Sequence, residues 1–431
     1  MERKTIYNRS VLDNGLTVVS EYIPYVRSLS IGVWIRTGSR NEIPDKNGIS
    51  HFIEHMVFKG TTNRTAEEIA RSLESVGGHL NAFTGKELTC YYARVLDEHM
   101  PLAMDVLADI LANCLFQEED IEREKQVVIE EIKNLDDTPD ELIHDLFSRS
   151  LFEPHPLGWP THGPAENVNR FSADDLRDFV SAQYTADRIV IAAAGNVIHA
   201  DFVDLVTEHF HFSTLGQERA TVDFPPSSTR IDVHTRRISQ THLCLGTRSY
   251  PYTHPHRVSL CVLSTLLGGG MSSRLFQKIR ENLGLAYSIF TSLVFFADTG
   301  IFWAYVGTDS SHTKKVLRMV GQEFHNLASE PISDEELART KSQLKGSLML
   351  GLESTSARMT RLAEMEIYRN GYWSLDETLA EIDRVTAEEI REIAGDLFDP
   401  QKLTLTVLGP VKEGTITEED LLVDKSASGK A

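Results

Sequence analysis

Cysteine is scarce in this chain of 431 residues. There are four, Cys90, Cys114, Cys244 and Cys261, and none stands in C-x-x-C spacing. Neither a disulfide framework nor a cysteine zinc site is indicated, which points to a reducing compartment. Long apolar runs are also missing. None approaches the ~20 residues that a membrane-spanning helix needs. The opening MERKTIYNRSVLDNGL has no apolar signal-peptide core. A cytoplasmic protein is expected, although a mitochondrial matrix protein with its transit peptide trimmed would read the same way. Positive charge is in deficit, with 43 Lys and Arg against 63 Asp and Glu, a formal net charge of −20. A nucleic-acid partner, which needs a basic footprint, is therefore not expected. The acidic excess serves solubility, and it would also suit a cationic ligand.

The length exceeds one ordinary core and predicts two domains of roughly 200 residues. The chain repeats itself once. DRIVIAAAGNV closes the first half at Gly195, Asn196 and Val197, and QKLTLTVLGPV closes the second at Gly409, Pro410 and Val411. Each is a β-rich apolar run stopped by a glycine turn. Helical patterns precede both, with Ser172 and Thr386 as N-caps. TAEEIARSLESVGGHLNAFT parallels SSRLFQKIRENLGLAYSIFT, and Thr65 with Glu68 predicts a capping box. EEDIEREKQVVIEEI parallels SDEELARTKSQLKGS at a shift of roughly 216. The expected fold is α+β: two similar α/β-sandwich halves, each an antiparallel-rich sheet packed with helices. The expected boundaries are 1–215 for the first half, 216–230 for a linker, 231–415 for the second half and 416–431 for an acidic tail.

The stretch HFIEHMVFKG, residues 51–60, places two histidines and a glutamate on a short apolar helix. Asn47 is the expected cap, with the helix starting near Gly48. At 100° per residue, His51, Glu54, His55 and Phe58 share one face, and Ile49, Phe52, Ile53 and Met56 fill the other. A helix packed inward on its apolar side must line something with its ionisable side. Histidines at i and i+4 can reach one metal ion, and H-x-x-E-H inverts the common zinc-protease motif. Five-residue patterns also recur by chance, so a third ligand decides.

The pattern 118–135, EEDIEREKQVVIEEIKNL, offers one. Its apolar stripe is Ile121, Val128, Ile132 and Leu135. Glu124 and Glu131 lie beside that stripe, ~20° apart, while Glu130 points to water. A carboxylate forced toward a core costs several kcal/mol unless it is paired or bound to metal. The alternative is that both glutamates sit at a wet boundary and pair with lysines.

HFIEH, with Glu131 76 positions after His55 and Glu124 seven before it, resembles the pitrilysin-like family of inverzincin metallopeptidases. The likeness covers about 20–415 and includes LDNGLTV, GGHLNAFT and GLAYS. The length is similar to the short bacterial members that resemble the processing-peptidase β subunit. The resemblance implies one Zn2+ per chain held by His51, His55 and Glu131, with Glu54 as general base and Glu124 supporting the site. It implies that GGHLNAFT is a substrate-binding edge strand using Asn81, Ala82 and Phe83, with His79 outside the ligand set. It implies that Arg280 and Tyr287 bind the substrate backbone and stabilise the tetrahedral intermediate. From the residues alone, Arg280 reads equally as a helix-surface arginine and Tyr287 as core.

The second-half positions matching the three ligands are Ser259, Leu263 and Ser347, so one metal site per chain is expected. Family members close a chamber by pairing two units into a clamshell. A chain of this length would be half of one and would need a partner, expected to be a second copy. The functional expectation is a zinc endopeptidase for short or unfolded peptides, with basic, presequence-like ones favoured by the acidic chain. The alternatives are a catalytic β-type subunit of a heterodimeric processing peptidase, or a non-catalytic core subunit that keeps only the fold.

Overall fold

The computed structural model describes residues 6–213, 216 and 222–421. Through the first half of the chain the elements run β1 (Ile6–Val11), β2 (Thr17–Tyr22), β3 (Ser28–Ile35), α1 (Ile49–Met56), α2 (Ala66–Glu74), β4 (His79–Thr84) and β5 (Thr89–Leu96). There follow α3 (Met100–Ala112), α4 (Glu118–Asp136), α5 (Pro139–Phe152), α6 (Ala165–Val168), α7 (Ala173–Gln183), β6 (Ile189–Gly195) and α8 (His199–His209). The second half runs β7 (Arg230–Thr235), β8 (Thr241–Ser249), α9 (Arg257–Gly268), a π-helical turn at Phe276–Glu281, β9 (Ala286–Phe295), β10 (Gly300–Thr308) and α10 (Thr313–Ser329). It ends with α11 (Asp334–Gly351), α12 (Thr355–Arg369), α13 (Leu375–Arg384), α14 (Ala387–Leu397) and β11 (Thr404–Gly409).

Three of the four capping sites expected from the sequence start their helices. Thr65 and Glu68 form the box on α2, Ser172 with Asp175 does the same on α7, and Thr386 caps α14.

The sheets reproduce the repeat. One has the order β1-β2-β6-β3-β5-β4 and the other β7-β11-β8-β10-β9. With β1 set aside, they match strand for strand. In each, one pair is parallel, β2 with β6 and β7 with β11, and the remaining pairs are antiparallel. No helix among the described residues is long and apolar enough to cross a membrane.

The compact units do not follow the continuous halves. One unit gathers residues 1–134, 159–223 and 350–372, and the other gathers 135–158, 224–349 and 373–431. The physical reason lies in the outer sheet faces. In the first unit, Val19, Trp34, Cys90, Val190, Ala192 and Ala194 point away from the main core and form an apolar surface. Met359, Leu362 and Ala363 of α12 cover it, and Trp34 Nε1–H donates to the Met359 sulfur at 3.1 Å. Burying such side chains is worth ~1.5–3 kcal/mol for each large one. In the second unit, Leu142, Ile143, Phe147 and Leu151 of α5 cover Cys244, Ile301, Tyr305 and Leu408 in the same way. Each half of the sequence thus supplies the outer helix of the other half's sheet. The expected tail at 416–431 is also packed at its start. Ile416 and Leu421 are buried in the second core, and Asp420 takes Arg318 and Lys314. The rest of that segment, and residues 217–221 of the expected linker, lie outside the described residues.

Candidate metal centre

The sequence places α1 correctly but misjudges its cap. Gly48 is the N-cap, with φ +100, and the Asn47 side chain does not cap the helix. The capping group is the buried carboxylate of Glu42. It accepts from Gly48 N–H at 2.7 Å, Ser50 N–H at 2.8 Å and Asn47 Nδ2 at 2.8 Å. An anion at a helix N-terminus satisfies orphan amides and meets the positive end of the helix dipole. Ile49, Phe52, Ile53 and Met56 are buried, and His51, Glu54, His55 and Phe58 lie together on the less buried face.

Helix α4 brings the distant carboxylates to that face. Glu131 Oε2 lies 3.4 Å from His55 Nε2 and 3.9 Å from His51 Nε2. One donor atom from each of the three residues falls in a group spanning no more than 4.8 Å. Glu124 is buried and accepts from His55 Nδ1 at 3.2 Å, while its other oxygen takes Lys59 Nζ at 2.7 Å. Glu130 faces solvent and pairs with Lys133 at 2.6 Å.

This donor set fits zinc. A tetrahedral ion with bonds of ~2.0–2.2 Å holds its ligands a little over ~3 Å apart and accepts imidazole and carboxylate together. The hydrogen bond to Glu124 fixes the proton of His55 on Nδ1 and leaves the Nε2 lone pair for the ion. His51 Nδ1 and Glu54 Oε2 are buried without hydrogen-bond partners among the described residues. An orphaned carboxylate oxygen next to the donor set is placed to receive a proton.

Electrostatics separate the two histidines. Burial, helped by His162 and His55, pushes His51 down to about 3, so its ring is neutral and ready to ligate. Burial also works against charge on His55, but the hydrogen bond to Glu124 and the charge of Glu131 outweigh it and raise its pKa. Burial raises Glu54 too, opposed by Thr84 and His55 and assisted by Glu131. Burial would raise Glu124 as well, yet His55 and Lys59 bring it below the usual carboxylate range.

A metal-binding imidazole must shed its proton, so protons compete with zinc most strongly at the residue whose pKa is raised. Glu124→Gln should therefore do two opposite things. Loss of the oriented carboxylate should weaken zinc binding at pH 8 by ~10–100-fold. The onset of proton competition should move to lower pH, because His55 loses the charge that raised it. Zinc competition titrations against a chromophoric chelator from pH 5.5 to 8 measure both.

Sequence reasoning missed His162. Its ring stands edge-on to His51 with centroids 4.6 Å apart, and the loop carrying it crosses the start of α1. Asn47 Nδ2 donates to Pro160 O at 3.0 Å in the same crossing. The glycine after His162, beside a second glycine at 48, was the only trace in the sequence.

Among the described residues, β4 is an edge strand, paired only with β5. Ala82 is buried, while Asn81 and Phe83 are exposed on the opposite face, and the Asn81 side chain accepts from Ala82 N–H at 2.8 Å. The three expected strand residues thus divide between two faces. His79 is exposed, in β4 itself. In the second unit, the Arg280 guanidinium lies 5.7 Å from the centre of the Tyr287 ring. Tyr287 is 76% exposed, which rules out a core role. Ser259 donates to Glu389 at 2.6 Å and Leu263 is fully buried. Among the described residues, only His51, His55 and Glu131 form a group able to hold a metal.

The chain resembles known proteins along most of its length. Residues 17–165 match the insulinase domain of peptidase family M16, and residues 170–344 match the peptidase M16 inactive domain. An uncharacterized zinc protease of Streptomyces coelicolor is 40% identical over 413 residues, 94% of this chain and 90% of that protein. One from Bacillus subtilis is 41% identical over 403 residues, 93% of this chain and 98% of that one. The crystal structure of a protease from Helicobacter pylori superposes with a TM-score of 0.87 at 24% identity, covering 94% of this chain and all of that one. A Pseudomonas fluorescens structure described as a peptidase M16 inactive domain also gives 0.87, at 19% identity, over 94% of this chain and 98% of its own. Fold, donor set and relatives define a zinc metallopeptidase. The chain belongs to peptidase family M16, the insulinase family, with the length of its short bacterial members.

Proposed function

We propose that this protein is a zinc endopeptidase for short or unfolded peptides, which bind as an added strand along the open edge of β4. His51, His55 and Glu131 hold the ion, and Glu124 orients His55. The observation that carries the reading is three donor atoms within 4.8 Å of one another beside the unpartnered, buried oxygen of Glu54. Zinc supplies Lewis acidity toward a peptide carbonyl and water. Glu54 takes the proton from the attacking water and passes it to the leaving amine. Main-chain hydrogen bonds along β4 favour extended substrates over folded ones. The net charge of −20 favours basic peptides during encounter, an effect screened beyond ~8 Å at physiological salt. The absence of cysteine pairs and the bacterial relatives support a cytoplasmic setting.

The active form we propose is a homodimer in which Arg280 and Tyr287 of one subunit bind the substrate backbone at the zinc of the other. The exposure of Tyr287 beside Arg280, in the unit without metal donors, supports this. A mixing experiment tests both levels. Glu54→Gln and Tyr287→Phe proteins should each cleave an unfolded peptide poorly. After subunit exchange the mixture should recover up to about a quarter of wild-type activity, because one mixed site carries all intact groups. No recovery from an otherwise dimeric mixture would place the pair and the zinc in one subunit. Activity only after a separate partner chain is added would favour a heterodimer.

A further inference from the structure

Beside β4 lies a cavity of about 550 Å³ that the metal centre does not use. In a strand, successive side chains point to opposite faces. Leu80, Ala82 and Thr84 take the face toward α1, where Thr84 meets Glu54. His79, Asn81 and Phe83 take the other face, which α12 only partly covers. The cavity opens there, between His79 and Phe83 of β4, Tyr92 and Arg94 of β5, and Met359 and Thr360 of α12. Gly77 keeps its end open, since a Cβ there would meet nothing within 4 Å.

The charge of this cavity is opposite to that of the chain. Among the described residues no acidic one lines it, although the chain carries 63 Asp and Glu. The Arg94 side chain makes no ion pair or hydrogen bond among the described residues. Other arginines of the same unit do find carboxylates, even when exposed: Arg27 takes Asp97, Arg71 takes Glu67, and Arg9 takes Glu366. An unpaired guanidinium in a cavity that also holds two aromatic rings, in so acidic a chain, marks a position where a carboxylate can be supplied from outside. Phe83 and Tyr92, with ring centroids 6.3 Å apart, would cover the stem of the side chain that carries it.

We propose that this cavity is a substrate subsite in which Arg94 selects a carboxylate, carried by a peptide that adds to β4. The proposal rests on the strand-addition reading above. A peptide along β4 alternates its side chains as β4 does, so those directed away from Glu54 enter the cavity. The carboxylate comes either from a Glu or Asp side chain or from the peptide's own C-terminus. The subsite acts by contact and runs counter to the long-range pull of the acidic chain on cationic peptides.

Internally quenched peptides test this, with Glu, Gln or Lys scanned through each position around the cleaved bond. One set is C-terminally amidated and a second has a free C-terminus. Wild-type enzyme should prefer Glu over Lys at one position by about fivefold or more in kcat/KM. A preference seen only with the free C-terminus identifies that group as the source. Arg94→Glu should invert the ranking and Arg94→Lys should keep it. If Arg94→Glu fails to fold, Arg94→Gln should flatten the ranking instead. Cleavage with no ranking in wild type, or a ranking unchanged in the Arg94 variants, overturns the proposal alone. Cleavage of no peptide overturns strand addition, and the subsite with it.

Discussion

Glu54→Gln should lower kcat by ~10²–10⁴ while each chain still binds one zinc. Glu54 shares a helix face with His51 and His55, yet it contributes no atom to the three-donor group. Its Oε2 is buried with no partner among the described residues, so a glutamine fits the same space and leaves the ligands alone. The amide cannot accept a proton at pH 7, so only the proton transfer is lost. The pH profile carries a second signature. A general base works when deprotonated, and burial raises the carboxyl of Glu54. The acid limb of kcat/KM should therefore vanish in the residual activity of the variant. Zinc content by atomic absorption, beside peptide hydrolysis, reads the outcome. A variant that loses its zinc, or one that hydrolyses normally, removes Glu54 from the role of base.

Gly163→Ala should be strongly destabilising, at ~3 kcal/mol or more, and it should loosen zinc as well. Gly163 has φ +70, where an L side chain costs ~1–2 kcal/mol. A Cβ there would also stand 2.7 Å from the Asn47 carbonyl carbon and from Gly48 Cα. The obstacle is backbone on both sides, so no side chain can swing away. The displaced segment is Asn47–Gly48, from which α1 and its two histidines start. Gly77→Ala is the control: φ is +72 there, but nothing lies within 4 Å of the added carbon. It should cost only the ~1–2 kcal/mol of backbone strain. Unfolding midpoints and zinc affinities of the two variants, measured side by side, isolate the crossing. Equal losses would mean that the two backbones have room to part.

Much of this site can be read from the sequence because periodicity carries it. The 3.6-residue repeat put His51, Glu54 and His55 opposite four apolar residues, and it set Glu131 toward α1 and Glu130 toward solvent. Local caps such as Thr65 with Glu68 were equally plain, because partners three residues apart leave a pattern. Glu42 left none. Its carboxylate reaches amides six and eight residues ahead through a turn whose shape the composition does not dictate. His162 was hidden for a related reason, since it meets His51 only through the tertiary crossing of two glycines. The boundaries of the compact units were not legible because α5 and α12 look like ordinary continuations of their own halves. Their apolar stripes say that they must be buried, but not against which sheet.

The exchange of those two helices bears on ancestry. A founding chain of half this length would have sent its outer helix away from its own sheet, leaving that sheet bare. Such a chain is complete only when two copies trade helices, as in domain-swapped pairs. Tandem duplication would then have joined partners that already depended on each other. The half without metal donors would then be kept for the helix it lends to its twin's sheet.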